Sequence, residues 1–193
     1  MSVLEVRIFG DPVLRQAARE VTEFDDRLAK LADDMMETMR ANAGVGLAAN
    51  QVGVLKRLFT WEIDWGELDG APEIVGGAVV NPVLLDASDE AVEDEEGCLS
   101  FPGLFYPVQR PMHVQIGYRD LAGGEQRIDL DDFEARVFLH EMDHLDGILF
   151  IDHLAKHDRK EALRRMREYR ETTGLEPDAA PRLLGGLLGG EPL

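Results

Sequence analysis

Cysteine is nearly absent from this chain: Cys98 is the only one, so no disulfide can form within it. That agrees with a reducing compartment. Positive charge is also scarce, with 20 Lys and Arg against 38 Asp and Glu and a net charge of −18. Phosphate contacts need basic side chains, so no specific nucleic-acid site is expected. No apolar run approaches the roughly 18–20 residues that a membrane helix requires, and no membrane partner is expected. Near the start, Glu5 and Arg7 interrupt the apolar run that an export signal needs. The expected location is therefore cytoplasmic. Glycine-rich phosphate loops at a strand–helix turn are missing too, which argues against a nucleotide-binding fold.

What is present fits one globular unit. The chain has 193 residues, 45% of them hydrophobic and 30% charged, enough to bury a real core. Asp11 followed by Pro12 marks a short helix start. Leu28, Leu31, Met35 and Met39 recur at helical spacing and predict a core-facing helix over 25–42. Strands are predicted at 54–62, 74–80, 83–87, 112–119 and 125–130, with an exposed loop at 64–73. A helix capped by Asp131 or Asp132 is expected to run to about Asp146 and close at Gly147. A last helix covers about 156–172. The fold class is α+β: mostly antiparallel sheets around one central metal-binding helix, with a C-terminal helix. Residues 1–173 read as a single catalytic domain. Residues 174–193, rich in Leu-Leu-Gly-Gly, read as a low-complexity, mobile tail.

The central helix carries the chemistry. His140-Glu141-Met142-Asp143-His144 fits the pattern His-Glu-x-x-His. Residues four apart share a helix face, so both imidazoles can reach one ion, and Glu141 lies beside them as an acid/base. Phe133 and Val137 lie on the face of His140 and suit a pocket for an apolar side chain. A catalytic ion of this kind needs a third protein ligand and an open position. Phe150 stands where one protease family has its third histidine. Glu161 and Glu168 are candidates, but both sit among basic residues that explain them as ion pairs; His153 is a weaker one. Cys98 remains, with Gly97 beside it allowing close backbone approach and a thiolate suited to zinc or iron.

Three segments together resemble the peptide deformylase family. Gly44, Gly46, Leu47, Ala48, Ala49 and Gln51 match its first motif. Glu96, Gly97, Cys98, Leu99 and Ser100 match the second. His140, Glu141, Asp143 and His144 match the third, although Leu139 replaces the usual Gln. The resemblance implies hydrolytic removal of the N-formyl group from the formyl-methionine of newly made polypeptides, releasing formate. It implies one Fe2+ per chain, with Zn2+ or Ni2+ able to substitute, held by Cys98, His140 and His144. Glu141 is then general acid/base to metal-activated water, and Gln51 and the Leu99 backbone N–H stabilise the oxyanion. Gly44, Val45 and Gly46 would offer backbone to an extended peptide, Val45, Phe133 and Val137 would line the pocket for its methionine side chain, and Gly97 is a further substrate-binding residue. Asp143 is expected to pair with Arg110.

Two charge clusters are left over. Seven of the 20 basic residues fall between Lys156 and Arg170. The matching family helix contacts the ribosome in some bacterial members, which makes the ribosome a candidate partner. A solvated helix laced with ion pairs is the plainer reading. Asp89, Glu90, Glu93, Asp94 and Glu95 read as a solvated loop or edge strand.

Overall fold

A computed structural model describes residues 2–68 and 71–174. The chain order begins with a 3-10 turn at Pro12–Arg15, helix α1 (Asp26–Ala41), strand β1 (Gly46–Ala48) and a second 3-10 turn at Ala49–Val52. Strands β2 (Leu58–Leu68), β3 (Ala71–Ala87), β4 (Ala91–Gly97), β5 (Phe105–Pro111), β6 (His113–Arg119) and β7 (Glu125–Asp131) follow. Helix α2 (Asp132–Leu145), a short 3-10 turn at Phe150–Asp152 and helix α3 (Lys156–Thr173) complete the described part. The tail expected over 174–193 lies, from residue 175 on, outside the described residues.

Five strands form one antiparallel sheet in the order β1-β2-β3-β6-β7, and β4 pairs with β5 in a separate two-stranded sheet. The α+β class and the central helix are as expected. Helix α2 lies against the large sheet through Phe138, whose ring meets Phe59 at 5.1 Å and Trp61 at 5.0 Å, nearly edge-on to the former. Such aromatic contacts add to the burial of each ring. Helix α1 buries Leu28, Met35 and Met39 as its periodicity predicts.

Several boundaries differ from the sequence reading. The segment 64–73 is not a plain loop: β2 and β3 keep pairing as far as Leu68 opposite Ala71. Cross-strand pairing, which a local composition argument cannot see, holds the described part of this stretch, up to Leu68 and from Ala71, extended. The predicted strands 74–80 and 83–87 are one strand, bent at Asn81, whose φ is +51°. Asn tolerates this left-handed backbone, and its side chain clips the Val21 backbone with two bonds of 2.8 Å. Of the two readings open for the acidic run, loop or edge strand, the structure takes the strand for Glu93, Asp94 and Glu95, which lie in β4; its partner β5 is an addition to the predicted strands. In β5 Tyr106, Val108 and Arg110 alternate inward, but Arg110 and two prolines disguise that period. Asp131 precedes α2 without capping it; its carboxylate pairs with His113 instead.

Candidate metal centre

His140 and His144 are buried on one face of α2, with ring centroids 5.0 Å apart. Cys98 follows directly on β4, in a turn closed by the Phe101 N–H donating to the Cys98 carbonyl at 2.8 Å. Its Sγ lies 3.2 Å from His144 Nε2. The ligand atoms of Cys98, His140 and His144 all lie within 4.8 Å of one another. One thiolate and two imidazoles at this spacing fit a single zinc- or iron-like ion and leave an open position. The rival third ligands stand elsewhere: Glu168 pairs with Arg164 at 2.7 Å, and His153 with Asp143 at 2.7 Å. Glu161 is not among the grouped ligands.

Behind the histidines lies a buried charge cluster that motif reading under-weighted. Glu96 accepts from His140 Nδ1 at 3.0 Å and from Arg110 at 2.8 and 3.0 Å. A histidine whose Nδ1–H is held by a carboxylate turns its Nε2 lone pair toward a metal. Arg110 reaches on to Asp143 at 2.7 Å, the pair expected from the sequence. Burial would raise the Glu96 carboxyl, but its bonds to His140 and Arg110 prevail and hold it down at about 2. The two imidazoles titrate apart. Burial works against protonating His140, yet bonds to Cys98 and Glu96 push its pKa up. Burial and the neighbouring His140 push His144 down. Asn50 also escaped the sequence reading; its side-chain amide donates to the His144 carbonyl. Only the fold brings that loop amide to the helix.

Glu141 is 4% exposed, and its Oε2 has no hydrogen-bond partner. Burial pushes its carboxyl up to about 7, against the opposing pull of His140 and the Ala48 N–H. A carboxyl poised there can both take and give a proton near neutral pH. Gly46 makes room for it: a Cβ on Gly46 would sit 2.4 Å from Glu141 Oε1. Gly46→Ala should therefore displace the carboxylate and cut turnover about tenfold or more, since small misplacements at a reacting centre are costly. Unchanged steady-state kinetics would contradict this geometry.

The other predicted residues converge on one pocket of about 520 Å³, lined by Gly44, Val45, Gly46, Gln51, Gly97, Cys98, Leu99, Phe133, Val137, His140 and Glu141. Gln51 sits in the 3-10 turn after β1. Its Oε1 accepts from the Ala48 N–H at 2.8 Å, and its Nε2 donates to Ser100 Oγ at 3.2 Å and Cys98 Sγ at 3.6 Å. Gly97 admits the Phe105 ring, which a Cβ there would meet at 2.4 Å. Phe105, 61% exposed at the pocket rim, carried no sequence signal. Leu139 is half-buried and packs on the core cluster that includes Phe138, so an apolar side chain is accommodated there.

Comparison with known proteins places this geometry in context. The family model described as "Polypeptide deformylase" matches residues 3–160. A peptide deformylase from a Parafrankia species is 44% identical over 168 residues, 87% of each chain. The crystal structure of peptide deformylase from Ehrlichia chaffeensis superposes with a TM-score of 0.81 at 38% identity, covering 90% of this chain and all of that one. The Ehrlichia chaffeensis enzyme in complex with actinonin gives 0.78 at 40% identity, covering 88% and 98%.

Proposed function

The chain belongs to the polypeptide deformylase family, metal-dependent hydrolases that remove the N-formyl group from nascent polypeptides, and we propose that Cys98, His140 and His144 hold its ion while Glu141 moves the proton. The observation that carries this assignment is the convergence of the three ligand atoms at the wall of a pocket lined by Cys98, His140 and the buried Glu141. We assign residues 1–173 to one catalytic domain. The resident ion is Fe2+, one per chain, with Zn2+ or Ni2+ able to substitute; a mixed thiolate–imidazole set suits all three. The chemistry supplied by such an ion is Lewis acidity, which polarises the formyl carbonyl and eases deprotonation of water.

The residues do the rest. Glu141 takes the proton from the attacking water and delivers it to the departing amine as the carbon–nitrogen bond breaks. Formate and the free amino terminus result. The Gln51 amide and the Leu99 N–H stabilise the negative oxygen of the tetrahedral intermediate. The Gln51 Nε2–H now directed at Ser100 must turn toward substrate for this. Gly44, Val45 and Gly46 lead into β1, an edge strand of the large sheet, where an extended peptide adds its own backbone bonds. The methionine side chain enters between Val45, Phe133 and Val137, with Gly97 a further residue at the bound peptide. The test is anaerobic purification, metal analysis and an assay of formate released from formyl-methionyl peptides. No formate from any metal form would refute the assignment.

No helix among the described residues is long and apolar enough to cross a membrane; the working location is the cytoplasm, where nascent chains emerge. We propose that α3 docks on the ribosome through its basic face. Ala162 and Met166 anchor α3 in the core, so the test uses surface charge reversal rather than truncation. Lys160→Glu with Arg164→Glu and Arg167→Glu should weaken ribosome co-sedimentation in moderate salt and leave turnover of short peptides intact. Unaltered co-sedimentation would leave α3 as an ion-paired surface helix.

A further inference from the structure

The candidate metal centre is assembled from two separate pieces. His140 and His144 ride on α2, which packs on the five-stranded sheet. Cys98 follows β4, which belongs to the two-stranded sheet and shares no ladder with the large one. A thiolate and two imidazoles can share an ion only if the pieces are held to a few tenths of an ångström. Hydrophobic contact is too indifferent to direction to set that spacing.

Arg136 bridges the two pieces. Its side chain is 4% exposed. Nη1 donates to the Val108 carbonyl at 2.7 Å, to Glu96 Oε1 at 2.9 Å and to the Asp94 carbonyl at 3.2 Å. Nη2 donates to the Val92 carbonyl at 3.0 Å. Arg136 lies one helical turn before His140, on the same face. Val92, Asp94 and Glu96 lie on the strand that ends at Gly97, immediately before Cys98. One guanidinium therefore ties the turn beneath a histidine ligand to the strand that delivers the cysteine. The carboxylate it grips, Glu96, also holds His140 Nδ1.

A buried arginine costs several kcal/mol of desolvation, and an apolar side chain of similar volume would serve stability as well. What an apolar side chain cannot supply is a planar fork of donors aimed at several acceptors. We propose that Arg136 is a positioning residue of the metal centre, locking the cysteine-bearing sheet against the histidine helix at the spacing one ion needs. This rests on the assignment of Cys98, His140 and His144 as ligands.

The test strips the full-length chain of metal and titrates it with Co2+, whose bond to a thiolate gives a near-ultraviolet charge-transfer band. Arg136→Gln and Arg136→Lys should bind Co2+ about 10–100-fold more weakly than the parent, as changes behind metal ligands do, and with a diminished thiolate band. Leu28→Ala, a core deletion in another cluster, should lower Tm yet leave Co2+ affinity and the band unchanged. Parent-like affinity and band in Arg136→Gln would overturn the proposal. If that variant does not fold, Arg136→Lys decides: it keeps the charge without the fork, so parent-like binding would overturn the proposal as well. Loss of affinity in Leu28→Ala matching its loss of stability would reduce Arg136 to a general stabiliser. A parent chain with no thiolate band at all would sink the ligand assignment itself, and the inference with it.

Discussion

Glu141→Gln should still take up one metal ion per chain and turn over formyl-methionyl peptides about 10²–10⁴-fold more slowly than the parent, the usual worth of a positioned acid/base. Gln fills nearly the same space, so the room left by Gly46 remains occupied and the pocket keeps its shape. What disappears is a carboxyl that burial has pushed up to about 7. The parent's pH–rate profile should therefore carry an acid limb, the rate falling as pH drops and Glu141, which must start ionised to take the water proton, becomes protonated. In the variant that limb should vanish from whatever residual activity survives. Metal analysis and the two profiles together decide the matter. Loss of both ion and turnover would mean that Glu141 helps to hold the site, and its assignment as proton carrier would fail.

The second large effect is on stability. Glu96→Ala should destabilise the fold by about 3–5 kcal/mol, because it leaves buried arginine charges without their carboxylate. Arg110 and Arg136 are 5% and 4% exposed, so water cannot readily take over. The parent should also show an acid dependence that the variant lacks. Glu96 is depressed from 4.5 to about 2 in the folded chain. Its contribution, about 3 kcal/mol, is therefore fully present above about pH 4.5. It is lost as pH falls from there toward 2, where both folded and unfolded chains become protonated. Denaturant titrations of parent and Glu96→Ala between pH 2 and 7 measure the difference. A gap that stays constant across that range would show that Glu96 does not carry the linkage.

Much of the candidate site could be read along the chain because it depends on local spacing. His140 and His144 share a face by helical geometry alone, and Glu141 follows from its place between them. Leu28, Met35 and Met39 announce a buried helix face in the same way. Cys98 was less direct. Elimination favoured it as the third ligand, and the family motifs around it made it specific; nothing local says that a residue more than forty positions before His144 meets it. The alternation in β5 was present but masked by prolines and by Arg110, whose charge resembles a surface residue until its buried partners are known.

The chain alone announces the helix with two histidines on one face, three candidate ligands and, through its motifs, the class of reaction, because helical spacing and motif order are written along the chain. Only the tertiary structure decided how those segments meet. It made the acidic run a strand, set Glu96 between His140 and two arginines, and tied Arg136 of the metal helix to the two-stranded sheet. It also carried the pairing of β2 with β3 on to Leu68 opposite Ala71, where the composition reads as loop. The physical reason is the same in each case. Burial, charge pairing and strand pairing depend on neighbours distant in the chain, and a carboxylate or guanidinium reveals whether it is solvated or locked only when those neighbours arrive.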